Sequence, residues 1–178
     1  MRRVVLKALG ALTLAAVAAG AAAHGPTRQK VSEEIAIDAP PQAVWDRIKN
    51  FDAIKDWHPA IKSSPATEGN TVGSRRTLTL DGGGTVLEEL EGWSDADRKY
   101  NYRMRDPGPI PVSNYTSTIE VKPGPGDKGS LVVWRGAFYR GYPNNDPPPD
   151  KNDEAAVKAV TGIYKAGLEN LKKLAEAK

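Results

Sequence analysis

The 178-residue sequence predicts an α+β fold in which a curved antiparallel β-sheet wraps around one long C-terminal helix. Three observations support this prediction. A strand and a short helix are predicted to follow residues 1–23. Closely spaced segments with alternating apolar residues then follow, separated by turn residues, as is typical of antiparallel hairpins. From Asp153 onwards the apolar residues instead recur at helical spacing.

The opening strand is predicted over residues 31–37, where Val31, Ile35 and Ile37 are apolar. Pro40 and Pro41 stop this strand, and their fixed φ suits the first turn of a helix. The helix that follows carries Val44, Ile48 and Phe51 at helical spacing, with Trp45 beside them.

The hairpin region contains five predicted strands, over residues 75–80, 85–92, 99–104, 114–121 and 131–138. Asp81-Gly82-Gly83-Gly84 predicts a hairpin turn, and residues 94–97 predict another. Residues 141–152 are rich in Pro, Asn and Asp and are predicted to form a loop. We find no internal repeat, and the sequence predicts a single domain over residues 24–178.

The C-terminal helix is predicted to begin at Asp153, with Asn152 or Asp153 as its N-cap. Its apolar stripe consists of Val157, Val160, Tyr164, Leu168, Leu171 and Ala175. Gly162 and Gly167 each cost about 1 kcal/mol relative to Ala inside a helix, and close approach of the helix to the sheet would explain them.

Residues 1–23 are predicted to be a cleavable signal peptide, which places the mature protein in the periplasm. Arg2, Arg3 and Lys7 form its charged start, residues 8–19 its apolar core, and residues 21–23 a small-residue cleavage site. The apolar core is short for a membrane span, so an uncleaved anchor is the weaker alternative. The Arg2-Arg3 pair also resembles a twin-arginine export signal.

Charge and cysteine content exclude several classes of function. The three cations of the signal peptide account for the whole excess of 25 Lys and Arg over 22 Asp and Glu, so the mature chain is near neutral. No basic stripe with interleaved aromatic residues is present, which argues against a nucleic-acid partner. Cysteine is absent, which excludes disulfides, thiol catalysis and thiolate metal sites. We expect no metal site and no cofactor.

His58 is the one histidine in the folded body of the chain, and Pro59 favours an extended backbone for it. Its imidazole is a candidate for binding a ligand or for acid–base chemistry. The alternative is a structural hydrogen bond at a helix end. No nucleophile can be paired with it from the sequence, so we assign no catalytic residue.

Arg76 and Glu88 are predicted to face the interior, because each shares a strand face with apolar residues. Buried charges require partners, so an ion pair across the hairpin is one explanation. The other is a polar anchor for a ligand head group in an otherwise apolar cavity.

Aromatic residues form the third candidate group. Their rings suit a pocket that is apolar but orients its ligand, although ordinary core packing is the alternative. Those assigned to a ligand site are Trp57, Tyr100, Tyr102, Tyr115, Trp134 and Phe138; Trp93 and Tyr139 complete the set.

Four segments resemble the START-like (SRPBCC) superfamily of polyketide cyclases and lipid carriers, and within it the MxaD-type periplasmic accessory proteins of methanol oxidation. They are APPQAVWDRIKNFDAIKDWHPAI, GSRRTLTLDGGGTVLEELEGWSDADRKYNYRM, PVSNYTSTIEV and LVVWRGAF. The resemblance implies a helix-grip fold with a ligand cavity between the sheet and the long helix.

Three functions follow from these observations. The resemblance implies a non-catalytic accessory factor for a periplasmic quinoprotein alcohol dehydrogenase and its c-type cytochrome acceptor. A carrier of a small apolar or aromatic ligand, anchored by His58, Arg76 or Glu88, is the alternative. An enzyme of the cyclase/dehydratase type has the least support, because fold analogy does not establish chemistry.

Overall fold

The computed structural model describes residues 25–177 and confirms the predicted α+β class. The predicted signal peptide lies outside these residues. The strands of the described part of the protein are β1 (Gln29–Ile37), β2 (Ile61–Ser63), β3 (Arg75–Leu80), β4 (Thr85–Ser94), β5 (Lys99–Asp106), β6 (Val112–Pro123) and β7 (Ser130–Arg140). Its helices are α1 (Pro41–Ile48), α2 (Ile54–Trp57) and α3 (Asp153–Glu176), and short 3₁₀ turns lie at Pro125–Asp127 and Pro149–Lys151.

The seven strands form one antiparallel sheet in the order β1-β7-β6-β5-β4-β3-β2. Bulges interrupt the pairing within the β2–β3, β4–β5 and β6–β7 ladders. Such bulges increase local twist and bend a sheet. The inner face of the sheet packs against α3, and the short β2 is the one strand that the sequence pattern did not predict.

Helix α3 begins where the sequence predicts. The side chain of Asn152 accepts a hydrogen bond of 2.8 Å from the backbone N–H of Ala155, which confirms it as the N-cap. Val160, Tyr164, Leu168 and Leu171 of the predicted stripe are buried, whereas Val157 and Ala175 at its two ends are half-buried. Within residues 25–177, no helix has the length and apolar character that a membrane span requires.

The predicted loop before α3 is held by Arg140, the last residue of β7. Arg140 is 4% exposed, and its guanidinium pairs with Asp153 at 3.1 Å. It also donates hydrogen bonds to the carbonyls of Tyr142 and Asn144, at 3.0 and 2.9 Å. A single buried cation therefore fixes the path of the chain from the sheet to α3.

The two glycines of α3 have different surroundings. A Cβ at Gly167 would lie 2.6 Å from the ring of His58, 2.9 Å from Trp134 and 3.1 Å from Trp57. Close approach of the helix therefore explains Gly167. It does not explain Gly162, where a Cβ would meet nothing within 4 Å.

This difference gives a prediction with an internal control. We expect G162A to raise the free energy of unfolding by about 1 kcal/mol, because alanine is the better helix former. We expect G167A to lower it by about 1–3 kcal/mol, because the methyl group overpacks three rings. Urea denaturation of both variants measures the difference, and equal stabilisation by the two would contradict the packing described here.

Candidate ligand-binding site

A cavity of about 310 Å³ lies between the inner face of the sheet and α3. Ala60, Gly82, Gly83 and Pro109 are exposed and form its rim, where the β3–β4 turn meets the β5–β6 loop. The remaining walls are largely apolar. They are formed by Ile54, His58, Ile61, Leu78, Leu80, Glu88, Tyr102, Met104, Ile110, Tyr115, Trp134 and Ile163.

Arg76 and Glu88 form the buried ion pair that their strand positions predict. They are direct partners in the β3–β4 ladder, and Nε of Arg76 donates to Oε2 of Glu88 at 2.7 Å. Their side chains are 0% and 2% exposed. Glu88 lines the cavity, whereas Arg76 lies behind it. The ion pair is therefore the polar floor of an apolar cavity.

The remaining contacts of Arg76 hold the guanidinium in place. Nη1 donates to the carbonyl of Phe51 at 2.7 Å. The guanidinium carbon lies 4.1 Å from the ring centre of Phe51 and 4.9 Å from that of Tyr102. Nη2 has no hydrogen-bond partner among the described residues. These ring contacts are cation–π interactions, which gain strength when the cation is shielded from water.

The two charges affect each other's pKa. Burial disfavours the charged guanidinium, but Glu88 and the nearby tyrosine hydroxyls outweigh this effect and raise the pKa of Arg76. Burial also raises the pKa of Glu88, and the contact with Arg76 opposes that rise. Arginine stays protonated in proteins. The cation is therefore permanent, and the carboxyl group is the member of the pair that can change its protonation.

His58 lies on the cavity wall, where its side chain connects two parts of the fold through hydrogen bonds. Its backbone is extended, as Pro59 predicts, with φ −102° and ψ 116°. Nδ1 accepts a hydrogen bond of 3.2 Å from the backbone N–H of Ala60, so Nε2 carries the hydrogen and donates to the carbonyl of Ile163 at 2.9 Å. Burial lowers the pKa of His58, which favours this neutral form. Both ring nitrogens are engaged, and they join the α2–β2 connection to α3.

A hydrogen-bond network orders the aromatic side of the cavity. Ser117 donates to the carbonyl of Arg135 at 3.0 Å, so its oxygen accepts from the hydroxyl of Tyr164 at 2.9 Å. Tyr164 in turn accepts from Tyr115 at 2.5 Å. The ring of Tyr164 stacks on Trp134 with ring centres 4.4 Å apart. Helix α3 is thus tied to the sheet through polar atoms as well as through apolar packing.

The predicted site residues divide into two groups. His58, Glu88, Tyr102, Tyr115 and Trp134 line the cavity together. Trp57, Arg76, Tyr100 and Phe138 are buried in the core and do not line it. Neither of the other two aromatic residues considered, Trp93 and Tyr139, lines it either.

The apolar half of the cavity was not predicted as a site. It comes from Ile54, Ile61, Leu78, Leu80, Met104, Ile110 and Ile163, together with the rim residues. Strand alternation identifies the inward-facing Leu78 and Leu80, but it does not separate core positions from cavity positions. Pro109 and Ile110, in the turn between β5 and β6, also line the cavity.

Solved structures with the same fold include proteins from several bacteria. XoxI from Bacillus cereus is 36% identical, with 83% of this chain and 94% of that chain covered and a TM-score of 0.68. An uncharacterised protein from Bacillus thuringiensis is also 36% identical, with 83% and 98% covered and a TM-score of 0.68. A protein from Nitrosospira multiformis is 28% identical, with 84% and 97% covered and a TM-score of 0.65.

No curated protein matches the sequence significantly. The family model described as "Polyketide cyclase / dehydrase and lipid transport" matches residues 28–176, which is most of the chain. The protein therefore belongs to the polyketide cyclase/dehydrase and lipid transport family, within the START-like (SRPBCC) superfamily.

Proposed function

We propose that this protein binds a small, largely apolar compound in the cavity between the sheet and α3, without catalysing a reaction on it. The observation that carries the proposal is an apolar cavity whose one carboxylate, Glu88, is already neutralised by Arg76 behind it. Ligand pockets typically combine apolar walls with a few fixed polar groups, in volumes of roughly 300–1,000 Å³. This cavity has that composition and lies at the lower end of that range.

The engagement of His58 argues against acid–base catalysis by its imidazole. Both nitrogens of His58 are hydrogen-bonded to the backbone. A general base must reach the proton that it removes with a free lone pair. The imidazole has none in this arrangement, and its neutral form is favoured by burial.

Native mass spectrometry tests the binding proposal. We expect the protein, purified gently from its own cells, to carry a compound of defined mass. The A60W variant places an indole at the rim and should lose this compound, whereas A96W changes another exposed alanine, in the β4–β5 turn, and should retain it. An empty wild-type protein would contradict the proposal.

We further propose, as the second candidate, a periplasmic accessory role exported by residues 1–23. A shallow concavity of about 700 Å³ on the outer face of the sheet supports a docking function. We call it the outer saddle, and it is lined by Arg28, Lys30, Val31, Ser32, Glu91, Asn101, Arg103, Thr116, Ser117, Thr118, Arg135, Gly136 and Ala137.

The outer saddle has a local positive charge on a nearly neutral protein. Its lining contains four cations, Arg28, Lys30, Arg103 and Arg135, and one carboxylate, Glu91, which pairs with Arg103 at 2.6 Å. Complementary charge accelerates and orients protein association. An acidic face of the quinoprotein alcohol dehydrogenase, the partner that the MxaD-type resemblance implies, is the occupant we propose.

Dye-independent methanol oxidation in a deletion strain tests the accessory role. We expect deletion to lower the rate, and we expect wild-type protein to restore it. K30E/R135E should fail to restore it because it reverses the charge of the saddle. K158E/K173E makes the same charge change on exposed residues of α3 and should restore it. An unchanged rate in the deletion strain would contradict this role.

A further inference from the structure

We infer that the cavity selects a neutral compound carrying one group that both donates and accepts a hydrogen bond, such as the hydroxyl of a phenol or of an aromatic alcohol. This inference rests on the proposed binding function and specifies its ligand. It follows from three features of the cavity. Glu88 and Tyr102 on its wall each have an unused hydrogen-bonding role. The charge of Glu88 is balanced by Arg76, and the rest of the lining is largely apolar.

The first position is an acceptor. Arg76 occupies Oε2 of Glu88, at 2.7 Å. No described residue donates a hydrogen bond to Oε1, and the side chain lines the cavity. A carboxylate oxygen on the cavity wall without a donor from the protein is an acceptor that a ligand hydrogen would satisfy.

The second position is a donor. The hydroxyl oxygen of Tyr102 accepts from Nε1 of Trp134 at 3.1 Å, but the hydroxyl hydrogen finds no acceptor among residues 25–177. Burial raises the pKa of Tyr102 well above its ordinary value, so the hydroxyl keeps this hydrogen. Tyr102 also lines the cavity. It therefore offers a hydrogen to a ligand oxygen.

The other side chains on the wall that carry a polar hydrogen already use it. Trp134 shares its N–H between Tyr102 and Ser117, and Tyr115 donates to Tyr164. His58 uses both ring nitrogens. Among the described side chains, the wall thus presents one unused acceptor on Glu88 and one unused donor on Tyr102, and a hydroxyl group can fill both roles.

The charge balance argues for a neutral ligand. A ligand anion would be repelled by Glu88, and a ligand cation would compete with Arg76 for a carboxylate that is already paired. Moving either ion from water into apolar surroundings adds a desolvation cost. The walls supplied by Ile61, Leu78, Leu80 and Ile110 suit a ring or a short hydrocarbon.

Binding of three matched probes tests this inference. We expect 4-methylphenol to bind about tenfold more tightly than toluene, because its hydroxyl gains a hydrogen bond to a charged group. We expect 4-methylbenzoate to bind more weakly than toluene. Dissociation constants are measured by following backbone amide signals in NMR titrations.

Two variants test whether the preference for 4-methylphenol over toluene depends on the hydroxyl group of Tyr102. Y102F should weaken 4-methylphenol binding about fivefold, the range for a neutral hydrogen bond, and leave toluene binding unchanged. Y139F makes the same change at a tyrosine that does not line the cavity, and it should change neither. Equal affinity for 4-methylphenol and toluene would overturn the ligand class but leave the cavity as a binding site. Failure of all three probes to bind would overturn the proposed function itself.

Discussion

The contact between Arg76 and Glu88 links the fold to the site. Two opposite charges are enclosed in the core, 2.7 Å apart, at neighbouring positions of one hairpin. Such a pair is costly to desolvate, and removing one partner leaves the other uncompensated. The guanidinium also binds the carbonyl of Phe51 and stacks on its ring. The pair thereby joins the hairpin to the chain between α1 and α2 and presents one carboxylate oxygen to the cavity.

The position of α3 is the second constraint, because it sets how much space remains for the cavity between the helix and the sheet. Gly167 lets the helix approach the rings of His58, Trp57 and Trp134, and the imidazole bonds to the helix carbonyl of Ile163. At this contact the helix and sheet are closely packed. The cavity lies alongside it, towards the β3–β4 turn, where Gly82 and Gly83 bring no side chain into the opening. The cavity is thus bounded by a rigid contact on one side and by turns on the other.

Much of the fold could be predicted because its signals are local. Strand alternation together with the turn at residues 81–84 placed Arg76 opposite Glu88, and Pro59 predicted the backbone of His58. The division between core and cavity could not be predicted in this way. Tyr100 and Tyr102 share a strand face and are both buried, yet of these two tyrosines only Tyr102 lines the cavity. That outcome depends on how α3 and the β5–β6 loop pack, which is a property of distant contacts.

A double-mutant cycle on Arg76 and Glu88 tests the central claim most directly. R76M, E88M and the double variant are compared by urea denaturation, with R103M and E91M on the outer face as the matched pair at a similar distance of 2.6 Å. Each core variant should lose about 3–5 kcal/mol, with the double variant losing far less than the sum. The coupling energy between Arg103 and Glu91 should be less than about 1 kcal/mol, because this pair is partly exposed to solvent. Additive losses at Arg76 and Glu88 would contradict the role of this ion pair in the fold and in the site.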